Sequence, residues 1–162
     1  MKQHRLATCV AVLLLAAAIG AAASAAQDPA PPKPLATRTL DVEGVVAEVI
    51  ESVRKNGVLT VRVRFRNIGS APAKIALAGG GTSYHTANYI SAGDTKYEIM
   101  RDTGGNVMAT PRDGGGFLEP TIKPKGTWGW WAKYQAPPAG TKTYTLYLKV
   151  GPPIEDIPII DQ

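Results

Sequence analysis

From Leu59 to Arg66 the chain alternates without a break: Leu59, Val61, Val63 and Phe65 are apolar, while Thr60, Arg62, Arg64 and Arg66 are polar. A period of two belongs to a β-strand with one face buried and one in water, so the pattern predicts a strand over 58–67 carrying three outward guanidinium groups. A preceding strand, Val42 to Val53, is joined to it by Arg54-Lys55-Asn56-Gly57. Asn-Gly tolerates positive φ at both turn positions, so the two strands should form a hairpin. Glu43, Glu48 or Glu51 is then expected to pair with the arginines across the hairpin, and exposed pairs of that kind contribute under about 1 kcal/mol.

Farther along, short apolar and β-branched runs alternate with Gly, Pro, Asn and Asp clusters, and no window keeps a helical period. Strands are expected at Lys74 to Ala78, Tyr84 to Ile90, Lys96 to Arg101 and Val107 to Thr110, with Asp102 to Asn106 as a turn. Pro111 to about Gly126 reads as a long mobile loop pinned by Phe117 and Leu118. Thr127 to Tyr134 and Thr143 to Val150 are expected to close a final hairpin around Ala136-Pro137-Pro138-Ala139-Gly140. This spacing of short strands predicts an all-β, antiparallel β-sandwich of about 7–9 strands.

The N-terminus has a different pattern. Lys2 and Arg5 precede an apolar run from Leu6 to Ile19, and Ala23-Ser24-Ala25-Ala26 supplies small residues for cleavage, which is the order of a secretory signal peptide over 1–26. The run is too short for a comfortable membrane span, and no later segment approaches the length of one. Residues 27–40 form a proline-rich extended leader, and 41–162 the sandwich domain. The expected location is the periplasm or the medium. Cys9 is the one cysteine of the chain and lies within the signal, so the exported domain needs no disulfide.

The 18 Lys and Arg residues exceed the 13 Asp and Glu, but two of the bases leave with the signal. The remaining excess is mild, and without a dense basic patch or a recognisable module it argues against nucleic acid as a partner.

Catalytic and metal chemistry find little support. Outside the signal the chain has one histidine, His85, with Ser83 two residues away, but no Gly-x-Ser-x-Gly elbow. Zinc would lack cysteine and a second histidine. Asp94, Asp102, Asn106 and Asp113 offer oxygen ligands for calcium, yet their spacing is that of turn formers. No cofactor or metal is expected.

Binding surfaces are easier to find. Alternation places Trp128, Trp130, Ala132 and Tyr134 on one face of a strand and Trp131 with Lys133 on the other. The first set suits a core. Trp131 and Lys133, with Tyr147 and Lys149 on the neighbouring strand of the expected hairpin, form the first candidate surface, suited to stacking on sugar rings or anchoring a partner protein. Arg62, Arg64 and Arg66 form the second, either a solvated strand face or a contact for anionic polymer.

Tyr97, Arg101, Asp102, Gly105 and Asn106, then Trp131 to Tyr134, Ala136 to Pro138 and Pro152 to Ile159, occur in an order that resembles secreted bacterial immunoglobulin-like sandwich modules of unknown function. Some relatives of that kind are joined to outer-membrane-protein-A-like, peptidoglycan-binding domains. The resemblance spans roughly Val42 to Ile160 and implies a fold rather than a reaction. The expected function is a non-catalytic binding module of the bacterial envelope, with an envelope protein or glycan as partner. The alternatives are an assembly factor using an exposed sheet edge and a glycan-active enzyme built on two carboxylates.

Overall fold

The structure, a computed structural model, describes residues 32–79 and 83–162. The signal segment, its cysteine and the first part of the leader lie outside the described residues.

The expected hairpin is the centre of the fold. β2 (Val45–Lys55) and β3 (Val58–Asn67) pair antiparallel from Val45↔Asn67 to Lys55↔Val58. The turn is only Asn56-Gly57, with φ of 50° and 76°, so Arg54 and Lys55 belong to the strand. One residue breaks the ladder: Val49 faces Val63 and Glu51 faces Arg62, leaving Ile50 as a bulge. The extra residue resets the alternation, so Val45, Ala47 and Val49 point inward before it, and Ser52 and Arg54 after it.

β1 (Ala36–Thr39) pairs antiparallel along the first half of β2, and β11 (Ile160–Asp161) lies parallel along its end. β8 (Thr127–Gln135) pairs with β3 over its whole length, Arg66↔Thr127 to Val58↔Gln135. The free side of β8 is not an open edge. Met100 N–H donates to the Lys133 carbonyl, Lys133 N–H to Met108, and Thr110 N–H to Trp131.

The second sheet has the order β10-β9-β5-β6, formed by Ile154–Pro158, Thr143–Tyr147, Tyr89–Ala92 and Thr95–Tyr97. The two sheets bury one continuous core, to which the first gives Val61, Val63, Phe65, Trp130 and Tyr134 and the second Ile90, Tyr144, Leu146 and Ile157. The molecule is therefore an all-β sandwich, as its alternation predicts.

Three expectations are corrected. The run Tyr84 to Ile90 begins as a single helical turn, α1 (Tyr84–Ala87), before β5. The Thr86 and Ala87 amides close on the Ser83 carbonyl, and buried Asn88 holds the Leu77 and Tyr84 carbonyls, so tertiary bonds override strand propensity. The supposed mobile loop contains β7 (Thr121–Ile122), which pairs with β4 (Ala73–Lys74). Leu118 and Ile122 are buried there, whereas Phe117 is exposed.

The third correction concerns the final hairpin: β8 and β9 are in different sheets. Pro137 and Pro138 have no N–H to give a ladder, and the Arg54 guanidinium donates to the carbonyls of Pro137, Pro138 and Ala139. Its other bonds go to Asp161, so one side chain fixes both the crossover between sheets and the last strand.

Candidate functional site

β3 and β8 present Arg62 and Trp131 as register partners, with Thr60 opposite Lys133 two pairs farther on, on the same face. All four line an open depression of about 320 Å3 on the outer face of the first sheet. Trp131 and Lys133 are half-buried. The bulged Ile50 borders the same face, as does Gly129, where an added Cβ would meet nothing within 4 Å. The glycine therefore leaves one flank of Trp131 open. Trp130, one residue away, is buried and donates from Nε1 to the Tyr84 hydroxyl at 2.8 Å. Alternation alone thus sorts one indole into the core and the next onto a surface.

The cations on this face differ in how they are held. Arg62 is 3.0 Å from Glu51 and its side chain is 59 % exposed. Lys133 has no carboxylate within 4.0 Å among the described residues. Arg64 and Arg66 both bond Glu48, at 2.7 Å each, so they act as a structural clamp on a buried carboxylate. Burial pushes the Glu48 carboxyl up, but the hydrogen bonds and charges of the two arginines together outweigh it and hold the group below its ordinary value.

Tyr147 and Lys149 are not part of the Trp131 face. Tyr147 lies on the outer face of the second sheet, stacked on Tyr89 at 4.5 Å and 6° between planes, with Lys96 Nζ 4.3 Å from the Tyr89 ring. Lys149 donates from Nζ to the Gly79 carbonyl at 2.6 Å. The single expected surface is split because its two strands do not pair.

The pair Ser83 and His85 is brought together, with Oγ 3.3 Å from Nδ1. Glu98 lies 3.9 Å from Nε2. However, Arg101 Nη2 is 3.1 Å from the same Nδ1, and a permanently protonated donor there competes for the lone pair a base would use. Asp102 and Asp113 accept bonds from backbone amides of their own turns. Among the described residues no three Asp, Glu, His or Cys side chains are placed to hold a metal ion.

The two polar clamps Asn67 and Asn88 escaped sequence reasoning. Each is buried, and each bonds two carbonyls and one amide, tying together segments distant in sequence. A lone Asn between a strand and a turn is an ordinary turn signal, and nothing local distinguishes such a clamp.

Comparison with known protein families, with curated proteins and with solved structures found no match for this chain.

Proposed function

We propose that this chain is an exported, non-catalytic binding module that holds a carboxylate-bearing envelope polysaccharide on the Trp131 face. The observation that carries this is Trp131 itself, half-buried on an open strand face between Arg62 and Lys133, with a glycine keeping its flank clear. Sugar rings present apolar C–H faces that pack on an indole, and flanking cations suit acidic substituents. Aromatic anchors of this kind dominate many interfaces. Co-sedimentation with purified cell-wall polysaccharide tests it: the exported domain should pellet, and Trp131→Ala should weaken capture at least tenfold, about 1.4 kcal/mol. Equal capture by Trp131→Ala would remove this face from the function.

An assembly role through a sheet edge has less support. The free side of β8 is taken up by 99–110, β6 has three residues, and β10 is bulged between Ile154 and Ile157. An enzymatic role is disfavoured by Arg101 at the His85 Nδ1. Export is supported by the order of Lys2, Arg5, the apolar run and Ala23 to Ala26, and a secreted mass beginning at Gln27 would verify it. The immunoglobulin-like character of the sandwich is supported by the crossing from β8 to β9 between its two facing sheets.

A further inference from the structure

Four arginines, Arg54, Arg62, Arg64 and Arg66, each have a carboxylate within 3.0 Å. Arg38, Arg101 and Arg112 have none among the described residues, and of these Arg101 and Arg112 both line one cleft of about 470 Å3 between the 102–106 and 112–116 turns. That volume is within the range of small-molecule sites. No carboxylate holds either arginine in place. Arg101 Nη1 donates to the Gly105 carbonyl at 2.8 Å and its Nη2 lies 3.1 Å from His85 Nδ1, which leaves Arg112 as the uncommitted fork; its guanidinium carbon lies 5.7 Å from the Tyr84 ring centroid, a cation over an aromatic face. Asp113 itself lines the cleft, where its Oδ1 accepts from the Gly115 and Phe117 amides, and Asp102 accepts from Asn106. Guanidinium groups left without an acid, at the wall of a cleft, are matched by an oxyanion, which accepts paired N–H bonds from the fork.

We infer that this cleft is an oxyanion site for a small ligand bearing a carboxylate or phosphate, about the size of one sugar or a dipeptide. It is separate from the Trp131 face. The test is an NMR titration of the exported protein with inorganic phosphate, D-glucuronate and D-glucose, following the amides of Gly105 and Gly116, which line the cleft. Saturable shifts are expected with at least one anion and none with glucose, and the tighter anion names the source. Arg112→Gln should weaken that binding at least tenfold, and Arg112→Lys, which keeps the charge without the fork, should fall between. Arg112 donates no hydrogen bond to a described residue, so the melting temperature should hold in both variants. Trp131→Ala should leave the shifts in place, which separates this proposal from the polysaccharide reading. No saturable shift with either anion, equal shifts with glucose, or unchanged affinity in Arg112→Gln would overturn it.

Discussion

Glu48 is 4 % exposed, and its two oxygens are divided between Arg64 and Arg66. Because its folded carboxyl is held below the ordinary value of 4.5, its contribution is complete above about that pH and is lost as pH falls through the folded value. Glu48→Gln should cost about 1–3 kcal/mol at neutral pH in urea unfolding. The gap between the variant and the parent should narrow toward pH 3. A gap that stays constant with pH would mean the charge is not what matters. Asn88→Ala, which leaves the Leu77 and Tyr84 carbonyls and the Lys149 amide without their partner, should cost at least about 2 kcal/mol. Strict alternation would put Glu48 and Glu51 on opposite faces, and the Ile50 bulge brings both to the arginines; the burial of Glu48 is no more local. It depends on what covers the face, and the Arg64 Nη2 contact to the Pro32 carbonyl at 3.5 Å comes from outside the hairpin.

At the scale of elements, β2 and β3 were legible because alternation and the Asn-Gly turn agree, and the turn is a sharp test. Gly57 has φ of 76° and open space where a Cβ would sit, so Gly57→Ala isolates backbone strain and should cost about 1–2 kcal/mol. No change in stability would mean the turn relaxes. The pairing of β8 was not legible. Two strands separated by a Pro-Pro-Ala-Gly turn look like a hairpin locally, and only the distant Arg54 fork and the β3 partner send them to separate sheets. The same crossover separates Tyr147 and Lys149 from Trp131. Within β8, Gly129→Tyr would fill the open flank of Trp131, and it should reduce polysaccharide capture without lowering the melting temperature. Capture that survives this change would place the ligand elsewhere.

For the whole molecule, fold class was readable because a period of two, repeated in several runs, leaves two buried faces that must meet. The site was readable only in part: alternation put Trp131 outward, but the depression it lines needs Thr60 and Arg62 of the neighbouring β3. The measurement that tests the central claim most directly uses the three tryptophans as reporters. In a 1H–15N spectrum, the Trp130 indole, buried and bonded to Tyr84, should stay fixed as soluble cell-wall polysaccharide fragments are added, while the Trp131 indole shifts to saturation. A Trp131 indole that does not move at saturating fragment, or one that moves no more than that of Trp130, contradicts the account.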